Sequence, residues 1–269
     1  MFVEIQNIKI YYERQGNGVP IILVHGHGES TYIWRYNLKG LAEKFSVYAL
    51  DLKGFGESEK PLKSDYSILA MSELILQFMD KLQIKNAILA CHSFAGKIGI
   101  SAIISHPDRF LGLILLGSAV GKFDIWSAFA MMKHKKIGRM ALKKYNYEIA
   151  EKTLKRLHHT SYKITEEDIE KFLKVKESEG PIEAYLSYLI DFLKEEDAYL
   201  EMLGKIQLPT LILWGRDDRF ISYSHGKLIN ERVKDSRFEI LENCGHNISE
   251  DQPDKVNQLI IETFKNIKN

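Results

Sequence analysis

Apolar runs alternate with polar, glycine-rich stretches along this chain, and the period of the runs names the elements. Val19 to Val24 (V-P-I-I-L-V) is continuous and β-branched, as in a strand buried on both faces. Ser46 to Leu50, Ala87 to Ala90, Phe110 to Leu116, Leu208 to Trp214 and Phe238 to Leu241 read the same way. Val3 to Ile5 and Lys9 to Glu13 predict a hairpin closed at Gln6-Asn7. Between the strands the period lengthens. Ser30 or Thr31 is placed to cap a helix running to about Lys44. Ser64 to Leu82 predicts an amphipathic helix with Ile68, Leu69, Leu74, Ile75, Phe78 and Leu82 on one face. Phe94 to Ser105, Ser222 to Glu231 and Pro253 to Ile267 predict three more. Strands alternating with helices imply an α/β fold, with a mostly parallel central sheet and helices on both faces.

The rhythm breaks after Gly117. From about Val120 to Lys205 helical patches follow one another, with breaks near Gly138, Thr160-Ser161 and Gly180-Pro181. We therefore expect a core made of residues 1–119 and 206–269, and a helical cap inserted as residues 120–205. Ligands of open α/β sheets bind at the edge where the strands end, and the insertion is expected over that edge.

Composition narrows the function. At 269 residues the chain can bury a sizeable core in one domain with an insertion. A formal net charge of +1 gives no field for steering nucleic acid or an anionic membrane. No apolar run approaches a membrane span. Met1 to Ile5 alternates like a strand rather than opening a signal segment. Two cysteines, Cys91 and Cys244, make no disulfide framework. These features predict a cytoplasmic protein with a small-molecule substrate, and neither nucleic acid nor membrane as partner.

The candidate chemistry lies in loops that follow predicted strands. Ser93 ends the run Ile88-Leu89-Ala90-Cys91-His92, with small residues, Cys91 and Ala95, two positions to either side. An abrupt strand-to-helix turn needs small side chains there, and it holds a serine oxygen clear of the backbone. A serine hydroxyl needs a base, and His246 in Cys244-Gly245-His246 can serve. The base needs a carboxylate to fix its tautomer. Trp214-Gly215-Arg216-Asp217-Asp218 offers two, of which Asp218, three after Gly215, is preferred over Asp217. A developing oxyanion needs two donors. The backbone N–H of Phe94 is one. The other is assigned to the N–H of His27, with Gly28 as the alternative, in His25-Gly26-His27-Gly28.

Taken in order, H-G-x-G at His25, D-x-x-G-x-G-x-S at Asp51, H-S-F-A-G at His92, G-R-D-D at Gly215 and G-H at Gly245 resemble the α/β-hydrolase superfamily, in its serine-nucleophile branch with a helical cap. The resemblance covers nearly the whole chain. It implies the α/β-hydrolase fold and a Ser93, Asp218, His246 triad. The serine argues against the haloalkane dehalogenase and epoxide hydrolase branches, which use aspartate at this place. W-G-R-D-D-R-F is similar to carbon–carbon bond hydrolases of ring-fission products. That activity ranks second, because the His25 to Ser30 loop lacks their glycine- and proline-rich form and Asn247, not tryptophan, follows His246.

Other candidates have plainer readings. The Gly54-Phe55-Gly56 loop lacks the third glycine of a dinucleotide site. His25 reads as structural. His158-His159 lacks a second pair at ligand spacing, so no metal and no cofactor are expected. Lys133 to Lys136, with Arg139, Lys143 and Lys144, reads as a solvated helix face. Trp126 and Phe129 are assigned to the pocket roof. The expected activity is hydrolysis of a small to medium, largely apolar carboxylic ester through an acyl-enzyme, in the carboxylesterase class. A ligand receptor with slow turnover and a cofactor-free haloperoxidase remain compatible with the same residues.

Overall fold

A computed structural model describes residues 1–121, 131–174, 177–194 and 196–267. The strands are β1 (Phe2–Ile5), β2 (Ile8–Gln15), β3 (Val19–Val24), β4 (Phe45–Leu50), β5 (Ala87–His92), β6 (Phe110–Leu116), β7 (Thr210–Gly215) and β8 (Ser236–Leu241). They form one sheet in the order β1-β2-β4-β3-β5-β6-β7-β8. β1 and β2 are antiparallel, as are β2 and β4, and every later pairing is parallel. The hairpin turn uses Gln6 and Asn7 at φ 51° and 60°, the left-handed pair that matches strand twist.

Alternation along β3 sends Ile22 and Val24 into one core cluster and Ile21 and Leu23 into the other. Leu89 and Cys91 of β5 join the first, Ile88 and Ala90 the second. The sheet is thus apolar on both faces, which is why its strands read as unbroken apolar runs. Helices α1 (Leu38–Leu41), α2 (Ile68–Lys81) and α3 (Ala95–Ser105) cover it with α9 (Ser224–Asn230), α10 (Ile248–Asp251) and α11 (Pro253–Phe264). Between β6 and β7 come α4 (Lys135–Lys143), α5 (Tyr147–Leu157), α6 (Glu166–Leu173), α7 (Glu179–Phe192) and α8 (Glu196–Leu203). Among the described residues no helix is long and apolar enough to cross a membrane.

Three local expectations change. The helix expected up to Lys44 is a 3-10 turn, Thr31–Trp34, followed by the short α1. The Asn37 amide donates to Asn257 Oδ1 at 3.1 Å, and a Cβ on Gly40 would stand 2.4 Å from Asn257 Nδ2. Contacts with α11 therefore override helix continuation. α2 starts at Ile68, where Ser67 caps the Ala70 N–H at 3.2 Å, and Leu69 faces solvent at 69% exposure while Ile68, Leu74, Ile75 and Phe78 are buried. Gly138 does not break α4, because its bare Cα admits Leu186 of α7.

β4 and β5 flank β3 on opposite sides, so the strand order reverses there. The loops leaving the carboxyl ends of β3 and β5 meet over that reversal, where such sheets leave a crevice. They carry His25 to Ser30 and Ser93.

Candidate active site

Ser93 leaves β5 at φ 53°, a conformation that costs a non-glycine residue free energy and is held only by its surroundings. Here the Ser93 N–H donates to the Leu116 carbonyl at 2.9 Å, and the Ser93 carbonyl accepts from the Gly96 and Ala119 N–H groups at 3.1 and 3.2 Å. A Cβ on Gly96 would lie 2.7 Å from Ser118 Cβ, so α3 can start this close to β6 only with a small residue there.

The loops after β7 and β8 cross at two glycines. A Cβ on Gly215 would stand 2.0 Å from the Gly245 carbonyl, and one on Gly245 2.7 Å from the Leu157 carbonyl. This closeness delivers His246. Its N–H donates to the Leu157 carbonyl at 2.7 Å, and Asn247 N–H donates to the same oxygen at 3.0 Å. His246 Nδ1 lies 2.7 Å from Asp218 Oδ2, and Nε2 lies 2.8 Å from Ser93 Oγ. Asp218 Oδ1 accepts from the Phe220 and Ile221 N–H groups, both at 2.8 Å. The Asp218 side chain is fully buried, whereas that of Asp217 is half exposed and 3.8 Å from His159. Asp218 is therefore the carboxylate that meets His246. With Nδ1–H given to the carboxylate, Nε2 is left to take the serine proton.

Ser93 opens into a cavity of about 340 Å³ lined by His27, Phe94, Leu142, Tyr185 and Phe220 among others. The rings of His27 and Phe94 stack at 5.3 Å. Burial drives the His27 pKa down to about 3 despite the opposing pull of Glu29, so His27 is neutral at ordinary pH. Trp126 and Phe129 lie outside the described residues.

His25 is a brace. Its Nε2 accepts from Leu52 N–H at 3.0 Å, which leaves Nδ1–H for the Gly26 carbonyl at 2.8 Å. The Gly54-Phe55-Gly56 loop folds on Asp51, whose carboxylate accepts from Thr31 and Glu57 N–H at 2.6 and 2.7 Å. Cys91 and Cys244 are free thiols in different core clusters, so they are not neighbours. Among the described residues no three His, Cys, Asp or Glu side chains are grouped to hold a metal ion.

Two charged groups escaped the sequence reading. Glu29 and His92 pair at 2.8 Å directly behind Ser93. The only sequence signal was position, with Glu29 three after Gly26 and His92 just before the serine. The second group centres on Arg35, which pairs with Glu250 and, at 2.8 Å, with Asp168. Glu250 also meets His158 at 2.9 Å. This group ties α5 and α6 to α10, and no local pattern marks residues so far apart in sequence.

Comparisons with known proteins agree with this fold. The alpha/beta hydrolase fold family matches residues 19–253, and the chain belongs to that family: it is a hydrolase of the α/β fold. It is 27% identical over 264 residues to the uncharacterized hydrolase YugF of Bacillus subtilis, covering 97% of this chain and 96% of that one. Its fold is similar to that of a meta-cleavage product hydrolase from Pseudomonas fluorescens IP01, with TM-score 0.84, 24% identity and coverage of 98% and 97%. It is also similar to that of a thermophilic esterase from Thermogutta terrifontis, with TM-score 0.83, 24% identity and coverage of 97% and 95%.

Proposed function

We propose that this protein is a serine hydrolase that cleaves a small to medium, largely apolar carboxylic ester through an acyl-enzyme. The observation that carries the reading is the hydrogen-bonded line Asp218–His246–Ser93, which opens into a mostly apolar cavity of about 340 Å³. Ser93 Oγ attacks the ester carbonyl as its proton passes to His246 Nε2. Asp218 holds the ring and stabilises the imidazolium. The N–H groups of Phe94 and His27 receive the oxyanion, each worth roughly 3 kcal/mol of barrier. His246 returns the proton to the leaving alkoxide. Water, deprotonated by His246, then attacks the acyl carbon and frees Ser93. In this scheme residues 120–205 act as the cap that roofs the acyl group and keeps bulk water out, and no cofactor takes part.

The test is steady-state hydrolysis of p-nitrophenyl esters from acetyl to long acyl. We expect turnover with an optimum chain length, and loss of that turnover to background in Ser93→Ala with the fold intact. Residual activity in the variant equal to wild type removes Ser93 from the mechanism. Absence of Ser93-dependent turnover on every ester refutes the ester reading and directs attention to carbon–carbon bond substrates.

A further inference from the structure

A second buried histidine–carboxylate pair lies behind Ser93, and the scheme above does not use it. His92 is fully buried and the Glu29 side chain is 6% exposed. His92 Nδ1 is 2.8 Å from Glu29 Oε2, and Nε2 is 3.1 Å from the His246 carbonyl. Both partners are acceptors. A neutral imidazole has one N–H and satisfies only one of them. With Glu29 ionised, as its lowered pKa of about 2 favours, only a ring carrying both protons satisfies both. The same Glu29 oxygen accepts the Gly26 N–H at 2.8 Å. One ion pair thus joins the three pieces of chain that bear the reacting groups: the Gly26-His27 loop, the residue before Ser93, and the backbone of His246.

We infer that His92 and Glu29 are a positioning pair, which holds the His27 loop and the His246 loop in register around Ser93, so that turnover requires His92 in its charged form. This rests on the serine-hydrolase reading. Loss of the His92 proton would leave one N–H for two acceptors, and one loop would be released.

The surroundings support the charge. Burial works against it, but the facing Glu29 carboxylate and then the His246 carbonyl raise the His92 pKa. Burial alone would raise Glu29, yet His92 brings it down to about 2. The other ionisable groups around the pair are already engaged. His25 bonds to Leu52 and Gly26, and beyond it Asp51 takes two backbone N–H groups. From the loop after β8, His246 lies 5.1 Å away, ring to ring, and is held by Asp218. From α10, Glu250 is shared between Arg35 and His158. The Trp34 ring meets His92 edge-on at 6.5 Å.

The kcat profile of the wild type should fall above the ordinary histidine range as His92 loses its proton. Glu29→Gln keeps an acceptor oxygen for both N–H groups and removes the charge. The sign follows: without the carboxylate the His92 pKa falls, and the alkaline limb moves to lower pH. We expect kcat on the descending limb to drop about tenfold with KM within about threefold. Glu29→Ala, which also removes the acceptor, should lose kcat at every pH. Two readouts are taken together: phosphonylation of Ser93 by a fluorophosphonate across pH, and nitrogen-15 ring shifts of His92 in the wild type. Both ring nitrogens should be protonated at pH 7, and the midpoint of their titration should match the alkaline limb. A neutral His92 at pH 7, or an alkaline limb unmoved in Glu29→Gln, overturns the proposal. A brace without a charge role would lower thermal stability and leave the limb in place. Failure of the wild type to be labelled at Ser93 overturns the hydrolase reading instead, and the ring shifts then decide the charge state alone.

Discussion

His246 and His92 each give one ring nitrogen to a buried carboxylate, at 2.7 and 2.8 Å. They differ in the second nitrogen. In His246 it faces Ser93 Oγ, which can donate as well as accept. In His92 it faces a backbone carbonyl, which can only accept. The first ring can therefore satisfy both neighbours with a single N–H. The second satisfies its neighbours, while Glu29 is ionised, only with both protons in place. The partner of the far nitrogen, more than the carboxylate, decides whether such a pair moves a proton or keeps one.

Breaking the carboxylate of each pair should give unequal losses. Asp218→Asn leaves the ring without its orienting charge and favours the wrong tautomer, so kcat should fall by on the order of 10⁴. Glu29→Gln should cost about tenfold, confined to the alkaline side. Equal losses across pH in the two variants would mean that both pairs serve one purpose, and stopped assays of kcat against pH decide it. Gly26→Ala probes the second pair without touching its charges. The added methyl would stand 2.6 Å from Glu29 Oε2 and 2.9 Å from Ser93 Cβ. Displacing the carboxylate should lower kcat by about ten- to a hundredfold and stability by about 1–3 kcal/mol. Wild-type kcat in this variant would show that the loop tolerates a shift the ion pair is said to prevent.

The two pairs were also unequally legible in sequence. Ser93, Asp218 and His246 each lie within a few residues of the end of an apolar run, so strand and loop could be read from their neighbours. The parallel strands were readable because both faces are buried, as Ile21 and Ile22 illustrate by entering opposite clusters. Glu29 and His92 sit in the same readable loops, but a carboxylate 63 positions from its histidine shows no local pattern. The Arg35–Glu250–Asp168 group was hidden for the same reason. It also explains part of the misread first helix, since Arg35 at the end of the 3-10 turn reaches across to α6 and α10. Gly138 was misread because a glycine admitting a neighbouring helix looks, in sequence, like one that ends its own.

The smallest expected effect concerns stability, and its sign separates an ion pair from a neutral hydrogen bond. Glu29 is depressed in the folded state from 4.5 to about 2. The unfolded chain therefore binds the extra proton first, so the Glu29 contribution is present above pH 4.5 and fades as pH falls toward 2. His92 is raised above 6.5. Its contribution is full below pH 6.5 and fades as pH rises through the elevated value. The pair as a whole is thus worth most between those limits. Thermal midpoints of wild type and Glu29→Gln, measured from pH 3 to pH 10, should differ most near pH 5 to 6.5 and converge at both ends. His27 enters this difference only at the acid end: burial depresses it to about 3 against the pull of Glu29, so loss of that carboxylate lowers it further. A gap that stays constant across the whole range would mean that Glu29 contributes its hydrogen bonds and not its charge.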